Sequence, residues 1–292
     1  MNNGTAGTAK PIDPNGELYQ RRALDALPLL VRQAYAGQTI FYSDLGGELG
    51  MPNARNLNFV LGAVGQSLVA LGAAWGEQIP PLQALVVNRQ TGMPGEGFAK
   101  DLFDPKVLQG VSSGTRKQVV KAMLAAIFAY PKWPQVLEHF GVSALPSSAV
   151  LVEKTRRARY GGESESAAHR ALKERIAADP TLVGVTKRVV STEVEHWLPT
   201  GDEIDVLFRT RTGVIAVEVK AHISPDDDVA RGVFQCVKYE ALLNAVAASE
   251  GRRDDVETIL ALGGVLTPEV RSLANTLGVS VLEQIASERH DS

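Results

Sequence analysis

A chain of 292 residues is long enough for two modest domains or one large one. Its 45% hydrophobic and 22% charged residues suit an ordinary globular protein, and a net charge of −3 excludes a surface that is basic throughout, so nucleic acid could be met only through local patches. The single cysteine, Cys236, excludes an internal disulfide and a multi-cysteine zinc cluster.

Residues 1–16 are polar, lack a signal-peptide pattern and read as a disordered leader. No apolar run reads as a membrane span, so no membrane partner is expected and the expected context is cytoplasmic.

Residues 17–105 read as a first domain. Leu24, Leu27, Leu30, Val31 and Ala34 recur at helical spacing and Gly37 stops that helix. Ser43 is placed to cap a short helix ending near Leu49, and a second helix is expected from about Asn53 to Leu71. In a helix-turn-helix the start of the second helix enters the major groove, which would present Arg55, Asn56 and Asn58 to DNA. The plainer alternative is a helical hairpin packed on itself. A strand over residues 82–88 and a glycine-rich loop over 89–97 complete the pattern of a winged helix.

Residues 106–160 read as a helical connector bracing the two domains, with one helix after Ser113, another from Pro134 to Phe140, and a basic strip of Lys154, Arg156, Arg157 and Arg159. The strip is either solvated surface or a grip on phosphates.

In residues 161–292 a helix is expected over 163–178. Glu165 shares its apolar stripe with Ala168, Leu172 and Ile176, whereas Glu163 falls on the solvent side. Glu165 is therefore the candidate acid. A strand over 184–197 precedes a hairpin of residues 201–208 and 214–220, turned by Gly213 in the left-handed conformation. Pairing Arg209 with Val214 sets Ile204, Val206 and Phe208 opposite Val219, Val217 and Ile215 as one apolar face. The other face then opposes Asp205 to Glu218 and Glu203 to Lys220. Opposed carboxylates repel unless a cation intervenes, and Mg²⁺, with Mn²⁺ as a substitute, suits two hard oxygen ligands. The plainer alternative is a solvated sheet face with a cross-strand salt bridge.

A long helix over 228–247 carries Gln235 and Tyr239 one turn apart, followed by a strand over 258–262, a helix starting at Pro268 and a strand over 279–282. Asp226, Asp227 and Asp228 read as acids favoured by that long helix's dipole, and Glu193 and Glu195 as solvated strand residues. His169, His196 and His222 lack the spacing of a zinc site.

Asp205 followed by Glu218-Val219-Lys220 resembles the core signature of the PD-(D/E)xK nuclease superfamily, without the proline that usually precedes the aspartate. Glu165 and the Gln235…Tyr239 pair stand in the order found in branches of that superfamily. The resemblance implies an α/β, restriction-endonuclease-like αβββαβ core. It also implies that Asp205, Glu218 and Glu165 hold the metal, that Lys220 orients or polarises the attacking water, and that Gln235 positions metal water or phosphate, with Tyr239 beside the nucleic acid. The segment from Thr39-Ile40-Phe41-Tyr42 through Pro80-Pro81 to the glycine loop loosely resembles the winged-helix domain of the alkyltransferase-like proteins. Pro80-Pro81-Leu82-Gln83 stands where active alkyltransferases carry their cysteine motif, so DNA binding carries over and alkyl transfer does not. The joint expectation is a metal-dependent DNA endonuclease, compatible with a homodimer. The rivals are a non-catalytic nucleic-acid binder of the same fold, and a transcription regulator whose second domain is a dimerisation or sensor unit.

Overall fold

The computed structural model describes residues 9–51, 53, 56–95, 113–145 and 166–285. The chain is α/β and divides into two compact units, Met1–Pro146 and Ser147–Ser292.

The first unit begins with α1 (Leu18–Ala36), whose Glu17 and Gln20 form a reciprocal cap and whose end is turned by Gly37 at φ 66°. Then come β1 (Ile40–Phe41), α2 (Tyr42–Glu48), α3 (Leu57–Trp75), a 3₁₀ turn (Leu82–Leu85) and β2 (Val86–Val87). Leu27, Leu30 and Val31 of α1 pack with Leu57, Val60, Val64 and Leu68 of α3 and with Leu82 and Leu85. By length and composition alone α3 could cross a membrane, a property that the sequence reading missed. In this fold its Leu57, Val60, Val64 and Leu68 are part of the unit's core.

The strand expected over residues 82–88 is mostly the 3₁₀ turn, and only Val86 and Val87 pair, in parallel, with Ile40 and Phe41. The glycine loop does turn back: Asn88 N donates to Met93 O at 2.9 Å, Gly92 takes φ 62°, and Val87 bridges Pro94. Arg89 ties this loop to α2 by pairing with Asp44 at 3.0 Å and lying over the Phe41 ring. The expected connector helices are α4 (Ser113–Ala129) and α5 (Trp133–His139). Their Ile127, Trp133, Val136 and Leu137 are part of the first unit's core, and Trp133 Nε1 donates to Ile127 O at 2.9 Å. They complete that core instead of forming a separate connector.

The second unit runs α6 (Ala167–Ala178), a 3₁₀ turn (Pro180–Val183), β3 (Val189–Trp197), β4 (Glu203–Thr210), β5 (Gly213–Lys220), α7 (Asp226–Ser249), β6 (Asp255–Leu262), α8 (Pro268–Leu277) and β7 (Ser280–Leu282). This is the expected order of helix, three strands, helix and strand, with the accessory helix and strand after it. The sheet order is β3-β4-β5-β6-β7, antiparallel from β3 to β5 and parallel from β5 to β7. Leu172 and Ile176 of α6 cover Val206, Phe208, Ile215, Val217 and Val219 on one face. On the other face, Tyr239 and Leu243 of α7 cover Leu207, Val214 and Ala216.

Because β5 is paired on both edges and covered on both faces, all eight of its residues are buried. The half-solvated hairpin of the sequence reading is thus the middle of a sheet, as expected where parallel strands lie between helices.

The hairpin register is the expected one over Val206–Val217, Phe208–Ile215 and Arg209–Val214. Two details differ. Gly213 is not left-handed; it starts β5 beside Asp255, whose carbonyl oxygen would lie 1.9 Å from any Cβ placed there. Ile204 packs with Leu207 and Tyr239 instead of with Val206 and Phe208, so the alternation of β4 breaks at Asp205. The break has a visible cause: the Asp205 side chain itself accepts the Val219 N–H at 2.8 Å, past the last ladder pair.

Candidate active site

The β4–β5 ladder stops at Val206–Val217, which leaves an opening in the pairing between the start of β4 and the end of β5, and the chemistry-bearing side chains collect around it. Asp205 lies on one side, with its Oδ2 3.5 Å from His169 Nε2, and the same ring nitrogen is 2.9 Å from Val219 O. On the other side Glu218 is 3% exposed and Lys220 is 9% exposed, which removes the solvated-face alternative. Glu218 Oε1 and Lys220 Nζ are 3.0 Å apart. The expected Glu203–Lys220 pairing is replaced by a second acid, Asp228 at the start of α7, whose Oδ1 is 3.2 Å from Lys220 Nζ.

The remaining parts come from the face of α7 laid over the opening. Tyr239 donates its hydroxyl to Glu203 O at 2.6 Å, lies 3.2 Å from Glu218 Oε2, and accepts from Gln235 Nε2 at 3.2 Å. Tyr239 is 2% exposed, so the expectation that it meets nucleic acid is corrected: it braces Glu218 from behind. Gln235 Oε1 is buried with no partner among the described residues. Gly232 lets the helix pass this close, since a Cβ there would sit 2.9 Å from Leu260 Cδ1 and 3.0 Å from Lys220 Cε. Cys236, fully buried on the same helix, has its thiol pKa pushed well up by burial and is the inert packing residue that the sequence suggested.

These contacts set the electrostatics. Burial, then the neighbouring Asp205 charge, push the Glu218 carboxyl up to about 7, against the lowering pull of Lys220 and Tyr239. Burial works to lower the Lys220 pKa, but Glu218 and Asp228 outweigh it, the pKa is raised, and the ammonium stays charged. The Tyr239 phenol is raised by burial and by Glu218, so it remains a proton donor at neutral pH.

The sheet is irregular on the other side of Asp205 as well. The β3–β4 register pairs Val194 with Val206 and His196 with Ile204, which leaves Glu195 across from Asp205. Glu195 adopts φ 56°, a left-handed conformation uncommon for glutamate, and accepts from Lys173 Nζ at 2.7 Å. Lys173 is 3% exposed and lies one helical turn beyond His169 on α6. Glu195 is exposed as expected, apart from its contact with Lys173, whereas Glu193 is half-buried and pairs with Arg209 and His196.

The structure therefore brings Asp205, Glu218, Lys220, Gln235 and Tyr239 together. Glu165, Arg55, Arg156, Arg157 and Arg159 lie outside the described residues. Asn56 and Asn58 are exposed at the start of α3, in the first unit. Sequence reasoning missed His169, Asp228 and Gly232. Two of them had a usable signal, because Asp228, Gly232, Gln235 and Tyr239 share one helical face. Among the described residues, no group of three or more His, Cys, Asp or Glu side chains is gathered with metal-site geometry.

No family model and no curated protein matches the sequence. Among solved structures the chain is similar to one of an EndoMS–dsDNA2 complex, with a TM-score of 0.32 and 19% identity over 43% of this chain and 48% of that chain. The similarity spans about half of that chain's length.

Proposed function

We propose that the second unit is a metal-dependent nuclease that hydrolyses DNA phosphodiester bonds. The observation that carries this reading is the buried juxtaposition of Asp205, Glu218 and Lys220 at an opening in the central ladder. The donor set fits Mg²⁺ or Mn²⁺. The Asp205 carboxylate acts on the buried Glu218 carboxyl, whose pKa is raised first by burial and then by that charge, and the unpartnered Gln235 Oε1 is a further hard oxygen. Asp205 and Glu218 would hold the ion, joined by Glu165 if the resemblance to the superfamily extends to that position. When bound, the ion supplies a lowered water pKa and neutralises charge on phosphate oxygens.

The chain's own groups then have separate tasks. Lys220, fully protonated, cannot accept the proton of the attacking water. It acts as a hydrogen-bond donor and fixed positive charge that orients that water and offsets charge growing on the phosphoryl oxygens. One oxygen of Glu218 lies 3.2 Å from the Tyr239 hydroxyl and the other faces Lys220. Contact with DNA in the first unit is assigned to the start of α3, where Asn56 and Asn58 are exposed and the helix itself carries no lysine or arginine.

The test is cleavage of plasmid and single-stranded DNA by the full chain with Mg²⁺, with Mn²⁺ and with chelator. Cleavage is expected only with metal, and Lys220→Met should lower its rate by about 10²–10³-fold. Asp205→Asn should remove both cleavage and the metal-induced rise in Tm. Undiminished cleavage in chelator, or full activity in Asp205→Asn, would overturn the proposal.

A further inference from the structure

The first turn of α7 contains two kinds of acid. Asp226 and Asp227 are exposed, where the helix dipole favours them, and Asp227 Oδ1 also accepts from Asp228 N at 3.1 Å. Asp228 points back to the sheet: its Oδ1 is 3.2 Å from Lys220 Nζ and 3.5 Å from Arg231 Nη1, and its side chain is 27% exposed. Lys220 thus has a carboxylate on either side, from its own strand and from the helix above.

We propose that Asp228 is a positioning residue that fixes the Lys220 ammonium at the site. Its consequence for catalysis rests on the nuclease reading above; the contact itself does not. A lysine stem has four rotatable bonds, and an ammonium held by one flexible partner follows wherever that partner goes. Glu218 is such a partner, because a cation bound to it competes with Lys220 for the same oxygens. Asp228 belongs to a different element and keeps its place whatever Glu218 binds. The helix also shapes the path of the stem. Gly232, one turn after Asp228, leaves the space that Lys220 Cε occupies, so Asp228 and Gly232 together form a slot for head and stem. A solvent-facing N-terminal acid would need neither the contact nor the slot.

The experiment is a double-substitution comparison of Tm in metal-free buffer, followed by steady-state cleavage with Mg²⁺. Asp228→Asn should lower Tm by several degrees in the wild-type background and leave it unchanged in Lys220→Met, with Lys220→Gln as the second background should Met fold poorly. Asp226→Asn, which removes the same helix-terminal charge without touching Lys220, should shift Tm equally in both backgrounds. In cleavage, Asp228→Asn should reduce kcat by about 10–100-fold with KM unchanged, and Asp228→Glu should restore most of it. An equal Tm loss from Asp228→Asn with and without Lys220 would overturn the inference and leave Asp228 a helix-terminal acid like its neighbours. A wild-type chain that cleaves no DNA with Mg²⁺ or Mn²⁺ would overturn the nuclease reading, while the Tm comparison would still decide the contact.

Discussion

Arg32 of α1 and Glu48 of α2 meet in the first unit through two 2.7 Å hydrogen bonds, with side chains only 10% and 8% exposed. In the second unit Glu218 and Asp228 flank one buried ammonium, that of Lys220, while the Asp205 charge acts on Glu218 and Arg231 pairs with Asp228. Both regions take charge out of water, but the first matches one anion to one cation in bidentate geometry and the second leaves carboxylate in excess. A matched pair satisfies itself and fixes how two helices meet. In the unmatched set burial, and then the Asp205 charge, raise the Glu218 pKa, and folding keeps that carboxyl only at the expense of stability. The same residue types therefore mean structure in one place and, on the proposed nuclease reading, chemistry in the other.

Removing one partner separates the two regions most strongly. Arg32→Met removes the bidentate partner of the buried Glu48 carboxylate and should destabilise the first unit by about 3–5 kcal/mol, whereas Arg32→Met with Glu48→Leu should recover most of that loss. Denaturant unfolding of the single and double variants measures both. A single variant as stable as wild type would mean that the Arg32–Glu48 pair is no different from a surface ion pair.

At the site, removal of one acid should act in the opposite direction. The Glu218 pKa lies above its ordinary value, so between about pH 4.5 and 7 the unfolded chain has released a proton that the native chain retains. Native stability falls as pH rises through that window, and the full penalty, about 3 kcal/mol, is present above it. Metal-free Glu218→Gln should therefore be more stable than wild type at pH 8, and its advantage should shrink as the pH drops towards 4.5. Equal stability at pH 8 would show that the site is as balanced as the Arg32–Glu48 pair.

What the sequence made legible follows the same division. Period-two apolar residues from Val206 to Phe208 and from Val214 to Val219 specify which strands pair and in what register, because any slip would expose a core face. That was enough to find Asp205, Glu218 and Lys220. Complete burial of β5 was not legible, since it comes from α6 and α7 on its two faces and from β6, a strand more than thirty residues further along the chain, on its second edge. The alternation also misplaced Ile204, because a side-chain hydrogen bond from Asp205 competes with the ladder and no periodicity encodes it. Asp228 was assigned to the helix dipole because its contact with Lys220 depends on how α7 lies on the sheet. In the first unit the segment 82–88 was read as a strand from its apolar run, yet Leu82 and Leu85 reach the core from a 3₁₀ turn. Short apolar runs do not distinguish these conformations.

The smallest effect expected concerns the gap itself. Gly232 is neither left-handed nor part of a turn, so only proximity explains it: an added Cβ would meet Leu260 Cδ1 at 2.9 Å and Lys220 Cε at 3.0 Å, with Glu218 Cγ at 3.5 Å. Alanine is the better helix former by about 1 kcal/mol, which works in favour of Gly232→Ala. Overpacking works against it and typically costs about 1–3 kcal/mol. The two should nearly cancel, giving a loss of about 1 kcal/mol or less, because Leu260 and the Lys220 stem can each move by a few tenths of an ångström. Activity should fall more than stability, since the stem that moves carries the ammonium. The measurement is Tm and kcat for Gly232→Ala beside Gly251→Ala, a change at the exposed end of α7 where the backbone is left-handed at φ 68° and no atom lies near. Gly251→Ala should lose stability and keep its rate. Gly232→Ala should do the reverse, and a Gly232→Ala protein with undiminished kcat would show that the Lys220 stem has more freedom than the slot suggests.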